Sequence, residues 1–203
     1  MNGNFVVGLI EMFAYLLPGS IALAAILIRY YPAQIEQMSN ETWFQLVFII
    51  GSFISGHILT LISVVLVKVR VFLSRKVFKQ KYRHERLSFY SKLETELNQR
   101  FGKSMSYSDR YWYSLRLVTE FMPQSTVEIN RLYALTLFSR NLVFAFLVGS
   151  ILFLVDNWLI FSIGLALSII FIIRYSQLET ATGDTVLRAA YVFLCMRGFG
   201  NSF

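Results

Sequence analysis

Charge is what this chain has least of. Only 15% of its residues are Asp, Glu, Lys or Arg while 56% are hydrophobic, a balance that excludes an ordinary water-soluble domain, where about a quarter of positions are charged. Cysteine is nearly absent too: Cys195 stands alone, so no disulfide framework exists. The two histidines, His57 and His84, cannot build a metal site with one thiol, and no nucleophile is paired with a base. No cofactor and no enzymatic activity are therefore expected. Strand-type alternation, internal repeats and low-complexity linkers are also missing, which leaves helices as the building material.

What is present is a set of long apolar runs. Residues 43–67 form twenty-five consecutive positions without a Lys, Arg, Asp or Glu, and residues 68–86 then carry eight cations against one Glu. About 20 apolar residues cross the hydrocarbon layer as a helix, and insertion leaves Lys and Arg on the cytoplasmic side. A first run, residues 5–28, is interrupted only by Glu11 and by Pro18-Gly19. It is too long for the apolar core of a cleavable leader and lacks a basic start, so it reads as a retained crossing kinked near Pro18. Residues 141–155 and 158–173 are two further runs separated by Asp156-Asn157, a turn-forming pair. Each is short, so both helices should extend inward past Arg140 and Arg174, whose long side chains snorkel.

Four crossings follow, and the cations orient them. Residues 68–140 hold fifteen Lys and Arg, residues 29–41 hold one, and the tail from Arg174 holds three. With the middle segment inside, both termini are cytoplasmic and the outer surface is reduced to two short connections. The expected organisation is an all-α integral membrane protein with a helical cytoplasmic domain. Residues 1–67 carry crossings 1 and 2, 68–130 form a basic helical region, 131–175 carry crossings 3 and 4, and 176–203 form a cytoplasmic C-terminal helix.

Within the cytoplasmic part, no Gly or Pro interrupts residues 68–76, so the second crossing should continue inward as a stalk. Phe89, Leu93, Leu97 and Phe101 recur every fourth residue in an amphipathic helix ending at Gly102. A second helix is expected over residues 109–122. A third should start near Thr126, with Ser125 and Glu128 at capping-box spacing, and a separate short helix is expected over residues 185–196.

Candidate functional residues are those that are costly in a membrane. Glu11 falls near the inner interface at about the depth of Arg140 and Arg174, and three roles remain open: contact with headgroup-level water, an ion pair holding the bundle, or a gate charge. Gly8, Glu11, Tyr15, Gly19 and Ala22 share one side of the first crossing. On the second, Gln45, Ser52, Ser55, Gly56 and Ser63 occupy one stripe with Thr60 at its edge and His57 away from it. Such a stripe either lets helices pack closely or, repeated around several subunits, surrounds a water-filled path. Lys68, Arg70, Arg75, Lys76, Lys79, Lys81, Arg83 and Arg86 extend further than headgroup contact requires. Beside the topological role, they are candidates for binding a nucleotide or single-stranded oligonucleotide, with Tyr82, Phe89 and Tyr90 available for stacking.

The segment Phe13-Ala14-Tyr15-Leu16-Leu17-Pro18-Gly19, the segment Arg131-Leu132-Tyr133-Ala134-Leu135-Thr136-Leu137-Phe138-Ser139-Arg140-Asn141 and the four-crossing layout together resemble small membrane effectors of bacterial anti-phage defence operons. Two types are similar: the Hailong-type channel effector, controlled by an oligonucleotide from a partner nucleotidyltransferase, and the Kiwa-type four-pass sensor, which works with a DNA-binding partner. The resemblance implies a bacterial inner-membrane location. It also implies a homo-oligomer, with a tetramer as the working number, acting as a pore that depolarises the membrane under a phosphate-rich or protein regulator. In that scheme Ser52, Ser55 and Ser63 line the path and Glu11, Arg140 and Arg174 sit at its inner end. The alternative is a non-conducting sensor or scaffold that recruits a cytosolic partner protein. No functional residue is transferred from either type.

Overall fold

The structure, a computed structural model, describes residues 3–76, 88–101 and 106–200. Among these residues there are seven helices and no strand: α1 (Gly3–Tyr30), α2 (Pro32–Met38), α3 (Thr42–Lys76), α4 (Ser88–Phe101), α5 (Tyr107–Phe121), α6 (Pro123–Leu152) and α7 (Trp158–Gly200). Four of them, α1, α3, α6 and α7, are long and apolar enough to cross a membrane. The chain divides into two compact units, one of residues 1–72 and 134–178 and the other of residues 73–133 and 179–203.

In the first unit, small side chains let the helices approach closely. A Cβ added to Gly19 of α1 would lie 1.8 Å from the Ser52 carbonyl oxygen of α3, and one added to Gly56 would lie 2.0 Å from the Tyr15 carbonyl oxygen. The two backbones are therefore in contact at these glycines, the geometry that small residues supply where lipid gives no hydrophobic drive for helices to associate. Ala22, Leu59 and Ala145 form a buried cluster shared by α1, α3 and α6. Helices α6 and α7 meet in the same way: a Cβ on Gly164 would come within 2.3 Å of Ser150 Oγ, and Ser168 Oγ donates to the Val143 carbonyl at 3.3 Å.

Both connections of this unit are short and joined to each other. Pro32 opens α2 from the first helical position, a place its fixed φ and missing N–H suit, within a segment whose sequence reads as loop. Asn157 Oδ1 caps α7 by accepting from the Leu159 and Ile160 amides, each at 3.1 Å. Arg29, at the end of α1, pairs with Asp156 of the α6–α7 turn at 2.7 Å, so the two connections share one end of the unit.

The second unit has its own apolar core. Leu93 and Leu97 of α4 are buried with Leu187 and Leu194 of α7, and Val118 of α5 is buried with Ile129 of α6 and Val186 and Ala190 of α7. Ser106 caps α5: its Oγ accepts from the Asp109 amide at 3.2 Å and donates to the Asp109 carboxylate at 2.7 Å.

Two helix boundaries differ from the sequence reading, for identifiable reasons. Helix α6 starts at Pro123 rather than near Thr126, and Ser125 and Glu128 lie inside it instead of forming a capping box. Met122, at φ −131° and ψ 70°, breaks α5, Pro123 takes the next helical start, and the Thr126 hydroxyl serves the Val118 and Met122 carbonyls at the end of α5. Helix α7 runs unbroken for 43 residues, so no separate helix begins at Thr185. An interior glycine costs about 1 kcal/mol, yet Val186, Leu187, Ala190 and Leu194 bury their side chains on both sides of the core and carry the helix past Gly183.

Candidate functional site

Proline at position 18 has no N–H, so the Ala14 carbonyl, which the residue four positions later would normally satisfy, is left without its intrahelical donor. In water this matters little. Among packed apolar helices an orphan carbonyl is expensive, and membrane helices accept proline where a neighbour supplies the missing bond. Asn141 of α6 supplies it: its Nδ2 donates to the Ala14 carbonyl at 3.0 Å. The same amide donates to Thr60 Oγ1 of α3 at 2.8 Å, and that hydroxyl in turn donates to the Gly56 carbonyl at 3.0 Å. Asn141 is fully buried. One side chain thus ties α1, α3 and α6 together beside the Gly19–Gly56 contact.

The small and hydroxylated stripe of α3 faces this junction. Ser52 and Ser63 are buried, Ser55 and Thr60 are half-buried, and Gln45 is exposed. Ser63 Oγ donates to the Thr60 carbonyl at 2.7 Å. By contrast, Ser52 Oγ, Asn141 Oδ1 and Arg140 Nε are buried with no hydrogen-bond partner among the described residues. At Ser52 and Gly56 the stripe is covered by α1, and the chemistry available there is hydrogen bonding between helices.

The other predicted site residues are described only in part. Arg140 is half-buried and Arg174 exposed. Glu11 lies on α1, but its side chain is outside the described residues, so its pairing with either arginine lies outside them as well. Helix α3 continues through Lys68, Arg70, Arg75 and Lys76 as an unbroken helix; the side chains of these four are outside the described residues, as are Lys79, Lys81, Arg83 and Arg86 entirely. Among the described residues, no group of three or more His, Cys, Asp or Glu side chains is arranged to hold a metal ion.

No family model, no curated protein and no solved structure matches the chain.

Sequence reasoning passed over two groups that the structure makes prominent. Asn141 reads as the polar edge of an apolar run; the signal that could have singled it out is Pro18, which guarantees a carbonyl in need of a donor. Arg110 of α5 is largely buried in the second unit and pairs with Glu94 of α4. Nearby, burial pushes the Tyr111 phenol above its ordinary value, with the Tyr133 phenol and the Glu179 carboxylate adding to the shift.

Proposed function

We propose that the protein is a four-pass membrane anchor and sensor that holds a helical, cation-rich region on the cytoplasmic side, where it engages an anionic or protein regulator. The observation that carries this reading is the burial of Ser52 and Ser63, with the Ser52 backbone against Gly19 of α1, which closes the centre of the polar stripe among the described residues of α3. The sidedness rests on fifteen Lys and Arg in residues 68–140 against one in residues 29–41. The Arg29–Asp156 pair supports it by gathering both short connections at one end. Both termini are then cytoplasmic. A place in the bacterial inner membrane, within an anti-phage defence system, rests on the resemblance in sequence and layout.

A second reading, a homo-oligomeric channel effector, draws on the orphan polar atoms. Among the described residues Ser52 Oγ, Asn141 Oδ1 and Arg140 Nε are buried without partners, and water admitted between the helices of the first unit would satisfy them. Purified protein in liposomes separates the two readings. The anchor gives no ion flux with or without single-stranded oligonucleotides, whereas flux lost on Ser55→Leu or Glu11→Gln establishes the channel. Charge reversal at Arg75, Lys76, Lys79 and Arg83 should abolish binding of a labelled single-stranded oligonucleotide; undiminished binding removes the cationic run as its reader.

A further inference from the structure

Helix α3 turns Ser52, Gly56, Leu59 and Ser63 inward, and Ile50, Ile54, Leu61 and Val64 outward with exposures of 61%, 54%, 74% and 42%. His57 lies in the middle of that outward stripe and is exposed with it. It stands fifteen positions after Thr42 and eleven before Lys68, about 22 Å and 16 Å along the helix. In a hydrocarbon layer about 30 Å thick it therefore sits deep among the acyl chains, beyond the reach of snorkelling. The ring stacks on Tyr15 at 4.0 Å between centroids and meets Phe53 edge-on at 4.6 Å. Among the described residues its nitrogens make no hydrogen bond.

A donor and an acceptor facing lipid are costly, and polar groups at this depth normally turn toward other helices. The partner can be narrowed by chemistry. An imidazole carries one N–H donor and one ring-nitrogen acceptor, so it is complementary to another copy of itself, and in a closed ring of identical subunits each copy donates to the next. Beside it, α1 offers room for approach: Gly8, two helical turns before Tyr15, is exposed with nothing within 4 Å of where its Cβ would stand. We propose that the α1–α3 face around His57 is where a second copy of the chain docks, with the imidazoles of adjacent copies hydrogen-bonded within the bilayer. This rests on the membrane reading above and adds the identity of the partner and the residue that selects it.

The test uses the full chain in native membranes. In a Cys195→Ser background, single substitutions Ile54→Cys and Leu61→Cys flank His57, and Ile169→Cys on the exposed face of α7 is the control. Oxidation should yield disulfide-linked dimers at the first two positions several-fold above the control. Adding His57→Leu should lower that yield about three- to tenfold, the loss of one interhelical hydrogen bond; His57→Gln, which keeps a donor and an acceptor, should retain most of it. Equal yields on both faces, equal yields for leucine and glutamine, or cross-linking to a different protein would each overturn the proposal. Carbonate washing separates the two levels: a chain released from the membrane sinks the membrane reading with the proposal, whereas a retained chain that does not cross-link sinks the proposal alone.

Discussion

Replacing Asn141 with leucine, a side chain of similar size, removes the donors to the Ala14 carbonyl and Thr60 Oγ1 without opening a cavity. An interhelical hydrogen bond in a membrane bundle contributes about 0.6–1.7 kcal/mol, and a buried carbonyl left without a donor costs about 1–3 kcal/mol. The expected loss is about 2–3 kcal/mol, read as a shift in reversible unfolding by SDS in mixed micelles. The informative experiment adds Pro18→Ala. Residue 18 then carries an N–H that can bond to the Ala14 carbonyl within α1, so Asn141→Leu should cost only about 1 kcal/mol, the bond to Thr60. The double-mutant cycle should show a coupling of about 1–2 kcal/mol between positions that lie on different helices. Additive effects, within about 0.5 kcal/mol, would refute the idea that Asn141 stands in for the amide that proline lacks.

The remaining predictions concern both units. Gly19→Ala places a methyl 1.8 Å from the Ser52 carbonyl oxygen; the helices must part, at a cost of about 1–3 kcal/mol in the same unfolding assay, and wild-type stability would show that α1 and α3 do not touch there. Glu94→Ala removes a carboxylate paired with the buried Arg110 guanidinium in the second unit; with Glu94 partly exposed, about 1–3 kcal/mol should be lost, and unchanged stability would show that the pair contributes nothing. Tyr111 holds its proton above the ordinary value of 10.0, so the unfolded chain releases that proton first. Its contribution is complete below pH 10 and declines as pH rises through the raised folded value. Tyr111→Phe should therefore lose less stability than the parent between pH 9 and 11, and parallel curves would dismiss the effect.

Much of the architecture was legible because long runs free of charge, such as residues 43–67 and 158–173, form helices long and apolar enough to cross a membrane. The passage of α3 through Lys68 to Lys76 was legible as well, since nothing there breaks a helix. What escaped were features decided by distant partners. Periodicity placed Ser52 and Ser63 on one face of α3 but carried no information on what covers Ser52, which is α1 with Gly19 in backbone contact. The short helix Pro32–Met38 buries no residue and so left no apolar pattern to read. A separate helix over residues 185–196 reads from local pattern, whereas α7 continues unbroken through Gly183, with Val186, Leu187, Ala190 and Leu194 packed beyond it. Asn141 is the clearest case, since its role depends on a proline in another crossing.

That dependence also has a direction in time. Ala14 and its donor are 127 positions apart in the chain, and synthesis at about 5–20 residues per second separates their appearance by roughly 6–25 s. During that interval α1 and α3 are complete in length but α1 is incomplete in bonding, the Ala14 carbonyl still lacking its Asn141 donor. Helices α1 and α3 are thus a provisional pair, completed only when α6 arrives. A chain stalled or cut before Asn141 leaves without that donor a polar group that the finished protein satisfies.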